Sequence, residues 1–172
     1  MVVKQVVFIL VLSVIIGLGL NLFSPNRIPY IGQYRSLASG NDPIITPDAE
    51  KGDPPFIGLA EAQMEFSSGR SAFIDTREPE VFECGTIPGA INIPFDYLPD
   101  EGLGTYIDSA LDGMKLDHPL ITFCSGDECD LSLHLARNMQ SLGYKSISIF
   151  FGGAREWEES GLQMEKRAAC DE

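Results

Sequence analysis

From residue 56 onward, short runs of β-branched and aromatic residues alternate with stretches whose apolar positions recur at helical spacing. "SAFID", "AINIP", "PLITFC" and "SISIF" read as short strands bounded by turn residues. Between them, "GLAEAQMEFSSG" reads as a helix that turns Leu59, Ala62, Met64 and Phe66 inward and stops near Gly69. "REPEVFECG" is a proline-opened helical turn ending at Gly85, "GLGTYIDSALDGM" a further helix, and "GGAREWEESG" the last. "DLSLHLARNMQSLG" has Asp130 as a candidate N-cap and ends at Gly143. It places Leu131, Leu135, Asn138, Met139 and Leu142 on one face. Short apolar strands alternating with helices require crossover connections. The expected fold is therefore α/β: three layers, with a mostly parallel central sheet and helices on both faces.

The first residues follow a different pattern. Val6 to Phe23 carries no charge and is close to the roughly 20 apolar residues a bilayer-spanning helix needs. The run is longer than a signal-peptide core and no small-x-small site follows it, so residues 1–23 are expected to be an uncleaved transmembrane anchor. Pro25, Pro29, Pro43, Pro47, Pro54 and Pro55 then interrupt every period, which predicts a semi-extended tether over residues 24–55. The folded domain is expected over residues 56–164, with a charged tail at 165–172. Lys4 on one side and Arg27 and Arg35 on the other leave the positive-inside rule undecided. Four cysteines point to an exported domain, on the periplasmic or extracellular side.

The net charge of −13 falls on the body of the chain, because the acids begin only at Asp42. Such a surface repels nucleic acid and anionic lipid, and no basic stripe with interleaved aromatics offsets it. Nucleic-acid binding is excluded, and the acidity reads first as a solubilising surface.

The candidate chemistry sits at the end of the strand "PLITFC", which delivers Cys124 to the sheet edge where ligands of open α/β sheets bind. The N-terminus of the next helix points back at that thiol and favours its anion. The loop between them holds Ser125, Gly126, Asp127, Glu128, Cys129 and Asp130. Its three acids work in the opposite direction and raise the thiol pKa. Cys129 is a resolving thiol, a spectator, or half of a structural staple worth roughly 2 kcal/mol by loop-closure entropy. A Cys-x₄-Cys pair without clustered histidines argues against a metal, and no cofactor is expected. Cys84 abuts Gly85 and Cys170 lies in the tail; four cysteines allow three pairings, and spacing does not choose among them. His118 and His134 lack the placement of a general base, and Trp157 reads as packing for the last helix.

"FIDTREPEVFECGTIPGAINIP", then Cys124, then "LGYKSISIFFGGAREWEESG" together resemble the rhodanese family, across residues 56–164. Asp75 and Arg77 match the family's Asp-x-Arg. Gly85 to Pro94 match its Gly-His-Ile-Pro-Gly-Ala-x-Asn-Ile-Pro except that Thr86 replaces histidine. Gly152, Gly153 and Trp157 match its closing Gly-Gly-x-x-x-Trp. The resemblance implies that Cys124 accepts a sulfane sulfur as a persulfide, held by a ring of backbone N–H groups, and passes it to a thiol acceptor. Asp75 and Arg77 themselves read as a buried ion pair that shapes the site floor rather than as groups that do chemistry. The departures concern charge. No arginine or lysine lies between Phe123 and Leu133, and the loop is slightly longer than usual. A phosphate dianion is therefore repelled, and turnover with thiosulfate is expected to be weak. The expected partners are a sulfur or thiol donor and acceptor, a protein among them, and the membrane. The alternative is a catalytically quiet rhodanese-like module whose acidic loop docks a basic protein.

Overall fold

Strand and helix alternate along the chain as β1 (Phe56–Ile57), α1 (Leu59–Ser68), β2 (Ala72–Asp75), α2 (Pro79–Cys84) and β3 (Ile91–Asn92). A 3₁₀ turn at Phe95–Tyr97 follows, then α3 (Leu103–Ala110), β4 (Leu120–Phe123), α4 (Leu131–Ser141), β5 (Ile147–Phe150) and α5 (Gly153–Glu159). This computed structural model describes residues 4–8, 13, 19, 49–126, 129–168 and 170. The strands form one sheet in the order β1-β5-β4-β2-β3, and every pairing between them is parallel. Ala72 to Asp75 run beside Leu120 to Phe123, which in turn run beside Ile147 to Phe150.

Alternation along the strands divides the core in two. Ile74, Leu120, Ile147 and Ile149 face α3 and α4, joining Ile107, Leu111, Leu135 and Met139. Phe73, Ile121, Phe123 and Phe150 face α1, α2 and α5, joining Ala62, Phe82, Ala154 and Trp157. The sheet is thus covered on both sides, as expected for short apolar strands linked by helices. Trp157 packs the last helix edge-on against Phe66, Phe73 and Phe150.

Two helix faces differ from the expected ones. In α1, Ala62 is buried and Phe66 packs on Trp157 at 5.1 Å, but Met64 is 65% exposed. Positions 62 and 66 lie on one side of a helix, whereas 64 lies on the other. In α4 the buried residues are Ser132, Leu133, Leu135, Ala136 and Met139, and Leu142 is 36% exposed. Thr122 of β4 donates its hydroxyl proton to the Ser132 carbonyl at 3.0 Å, which draws the first turn of α4 onto the sheet and rotates the buried stripe.

The chain divides into units Met1–Arg35 and Ser36–Glu172. In the first, residues 4–8, 13 and 19 are helical. The expected anchor at Val6 to Phe23 and most of the expected tether lie largely outside the described residues. Among the described residues no helix is long and apolar enough to cross a membrane. In the second unit, Asp53, just before β1, accepts two 2.8 Å bonds from the Arg137 guanidinium of α4. These bonds hold the Asp53 carboxyl below its usual pKa, against an opposing effect of burial. A carboxyl depressed in the folded state stabilises fully above its unfolded pKa of about 3.9, and that stabilisation is lost as pH falls through the lower folded value. Asp53→Asn should therefore cost about 1 kcal/mol at pH 7 and progressively less below pH ~4. Urea midpoints across that range measure it.

Candidate functional site

β4 ends at Phe123, and its carbonyl is fixed by two donors from the end of β2: the Thr76 N–H at 3.0 Å and the Thr76 hydroxyl at 3.1 Å. Cys124 follows and is buried, with 2% of its surface exposed. Its loop is clamped by the start of α5. The Ala154 N–H donates to the Cys124 carbonyl at 2.8 Å, and the Arg155 N–H donates to the Ser125 carbonyl at 3.0 Å. The first-turn amides of a helix have no partners within it, and here the loop supplies the acceptors. Gly153 makes the approach possible. It sits at φ +61°, and a Cβ there would lie 2.3 Å from the Cys124 carbonyl oxygen. Gly153→Ala should cost at least about 2 kcal/mol, since a left-handed alanine alone costs roughly 1–2 kcal/mol and the clash adds to it. Thermal denaturation measures the loss, and retention of wild-type stability would show that the loop yields freely.

Across the loop, Cys124 and Cys129 are paired as a disulfide with a Cα–Cα distance of 6.3 Å, inside the ~4.4–6.8 Å range such bonds require. The Cys129 N–H donates to the Gly126 carbonyl at 3.0 Å, closing the turn. The Cys124 sulfur lies 3.2 Å from the Cys129 carbonyl oxygen and 3.8 Å from that of Gly126. Asp127 and Glu128 lie outside the described residues. Asp130 occupies the position before α4, but it has helical backbone angles and its side chain makes no capping bond. Its Oδ2 lies 3.1 Å from His134 Nε2, one turn along, and the His134 ring packs on Phe95. The expected N-cap is therefore replaced by a side-chain pair on the flank of the helix.

The floor beside the loop is polar and buried. Asp75 at the end of β2 accepts from Arg77 Nε at 2.9 Å and from Arg77 Nη2 at 2.5 Å. The hydroxyl of Thr86 donates to Asp75 Oδ2 at 2.7 Å, and Arg77 Nη2 also donates to the Gly85 carbonyl at 2.7 Å. Asn92 Nδ2 donates to the carbonyls of Asp75 and Arg77, at 3.1 and 2.9 Å. Thr86, the residue that departs from the family motif, thus belongs to the network that holds Asp75. Among the described residues no three His, Cys, Asp or Glu side chains are grouped to hold a metal ion.

The charge of the site extends beyond the loop. A cavity of about 250 Å³ opens beside Ser125, with Arg77, Arg155, Glu158 and Lys166 on its walls. A Cβ on Gly126 would lie 3.0 Å from Arg155 Nη2, so this guanidinium reaches over the loop itself. The loop brings no cation of its own, but α5 and the segment after it do. Repulsion of anions, expected from the loop acids alone, is therefore opposed from outside the loop. Arg155 is two residues past the Gly153 of the closing motif, and that spacing was the one signal for it in the chain. The four cysteines pair as Cys124–Cys129 and Cys84–Cys170, the latter with a Cα–Cα distance of 5.5 Å. Residues 165–168, part of the expected charged tail, bond back to α2 and to Thr86. Thr86 and Glu165 exchange two backbone bonds of 2.9 and 2.8 Å, and the amides of Arg167 and Ala168 donate to the Glu83 carbonyl.

The comparisons agree with this geometry. The family profile for the rhodanese-like domain matches residues 59–160. Human thiosulfate:glutathione sulfurtransferase is 34% identical over 111 residues, covering 61% of this chain and 94% of that protein. The solved structure of a human single-domain sulfurtransferase is 31% identical with a TM-score of 0.52, covering 61% of this chain and 96% of its own. An HTH-type transcriptional regulator of Mycobacterium tuberculosis is 28% identical over 112 residues, and the chain spans 45% of its length. The parallel sheet, the three ordered motifs and the matched span have one reading: the chain belongs to the rhodanese-like domain family.

Proposed function

We propose that this protein handles sulfane sulfur through Cys124, with Cys129 as the resolving thiol. The observation that carries the reading is the placement of two sulfurs within bonding range on a loop clamped at the carboxyl end of β4. In the first step the reduced Cys124 attacks the outer sulfur of a donor. One S–S bond forms, the donor's S–S bond breaks, and the donor leaves as a thiolate or sulfite. In the second, Cys129 attacks the Cys124 sulfur and releases the outer sulfur as sulfide. The two thiols supply the two electrons and become the disulfide, which an external dithiol resets. A free thiol acceptor that takes the outer sulfur bypasses the second step.

Arg155 and Lys166 favour an anionic donor in the adjoining cavity. The loop itself brings no cation to the Cys124 sulfur, so turnover with thiosulfate is weak. The name of the human relative pairs thiosulfate with glutathione, and the same two classes, an anionic sulfane donor and a thiol acceptor, are proposed for this chain. The uncharged N-terminal run tethers the domain to a membrane on its non-cytoplasmic face. Retention of the full-length chain in carbonate-washed membranes tests the tether, and its release contradicts it.

A second reading has support in the burial of Cys124: a catalytically quiet module whose acidic loop docks a basic protein. Sulfide release from inorganic polysulfide under a dithiol reductant separates the two. The first reading requires multiple turnovers in wild type and, in Cys124→Ser, release no faster than without protein. No sulfide above the protein-free rate contradicts the first reading.

A further inference from the structure

Residues 160–168 and Cys170, beyond α5, form a strap whose contacts converge on the wall of the cavity beside Ser125. Trp157 Nε1 donates to the Gln163 carbonyl at 3.0 Å, fixing the start of the strap. Glu165 pairs with Thr86 through the backbone and accepts from the Gly89 N–H at 2.8 Å through its carboxylate. Arg167 lies over the Phe82 ring at 4.6 Å. Cys170 then closes the strap onto Cys84 at the end of α2. Between these points the strap contributes Met164 and Lys166 to the cavity, and Cys84 itself lines it. One end of the pinning disulfide is therefore in the cavity wall, while Cys170 is exposed. Cys124, by contrast, is buried. An external thiol meets the two disulfides on very different terms.

We propose that the Cys84–Cys170 disulfide is a redox latch on the donor cavity. Oxidised, it pins the strap so that Lys166 stays on the cavity wall, beside Arg155 and Glu158, where its charge faces the anionic donor. An external dithiol attacks at exposed Cys170. Cys84 leaves as the thiolate, and the dithiol's second thiol then displaces Cys170. The two electrons of the dithiol pass to the latch, giving two protein thiols and one oxidised reductant. Without the pin, the strap beyond Gln163 is held by four backbone bonds, the Gly89 N–H on the Glu165 carboxylate and surface contacts, and opening becomes local and frequent. This rests on the reading of the cavity as the donor site. It makes donor affinity dependent on the redox state of a bond that does no sulfur transfer.

The test uses the full chain carrying Cys124→Ser and Cys129→Ser, so that no sulfur chemistry occurs and the latch is the remaining disulfide. Hydrogen exchange at the amides of Glu165, Arg167 and Ala168 is compared before and after adding Cys170→Ser. Thiosulfate binding is measured by calorimetry on the same samples. Opening the latch should speed exchange at those amides at least about tenfold and weaken thiosulfate binding about tenfold. Reducing the parent with a dithiol should give the same changes, and reoxidation should reverse them, which separates an open latch from a damaged fold. Lys166→Ala with the latch intact should weaken thiosulfate binding while leaving the amides protected. Unchanged exchange and affinity on opening overturn the proposal, as does a parent that does not bind thiosulfate at millimolar concentrations. Failure of sulfur transfer itself would appear only in chains that retain Cys124.

Discussion

Cys124→Ser is expected to abolish sulfur loading and reduce sulfide release to below roughly one hundredth of wild type. A serine hydroxyl stays protonated at neutral pH and forms no bond to sulfane sulfur, whereas the other three cysteines occupy other positions. Cys129 closes the turn with its own amide, and Cys84 is engaged with Cys170. The fold should persist. The loop is clamped by backbone bonds from Ala154 and Arg155, and the lost cross-link spans few residues, worth about 2 kcal/mol by loop closure. A Cys124→Ser protein that melts within a few degrees of wild type and still releases sulfide at the wild-type rate would remove Cys124 from the chemistry.

The largest expected effect on stability comes from the floor of the site. Asp75→Ala removes the carboxylate that accepts from Arg77, from the Arg77 amide and from Thr86. It leaves a guanidinium in a position only 9% exposed. Breaking a buried pair from one side costs about 3–5 kcal/mol, because the remaining charge has lost its partner and has little access to water. Removing both partners, as in Asp75→Leu with Arg77→Met, should cost clearly less than the sum of the two single changes. Urea denaturation measures all three. A loss below about 1 kcal/mol for Asp75→Ala would mean that Arg77 reaches solvent when released. The same substitution should slow sulfur transfer, since Arg77 also borders the donor cavity.

What could be read from the chain was what periodicity and local motif encode. The short strands, their parallel arrangement and the helices on both faces follow from alternation and spacing. The position of Cys124 at a strand end follows from the apolar run before it. The pairing of Asp75 with Arg77 is two residues long and equally local. Misreadings arose where tertiary contacts chose among local options. Met64 looked inward by hydrophobicity, yet Ala62 and Phe66 set the buried side of α1. Asp130 had the chemistry of a cap and took His134 as partner instead. The strap stayed hidden because its bonds to Thr86 and Glu83 are made by backbone groups, which leave no mark in residue type. For the same reason the cation over the loop could not be found by reading the loop: Arg155 comes from another helix, brought in by Gly153. The pairing of Cys84 with Cys170 depends on where that strap ends.

The most direct measurement is the mass of Cys129→Ser after brief exposure to inorganic polysulfide, with the modified peptide located by fragmentation. Without its resolving partner, Cys124 should hold the transferred sulfur, giving a gain of about 32 Da on the peptide that contains it. Wild type, reduced beforehand with a dithiol that is then removed, should release sulfide on the same exposure and carry the Cys124–Cys129 disulfide with no such gain. An unmodified Cys124 in the folded Cys129→Ser protein, or the added mass on any other cysteine, would contradict sulfur transfer through this loop.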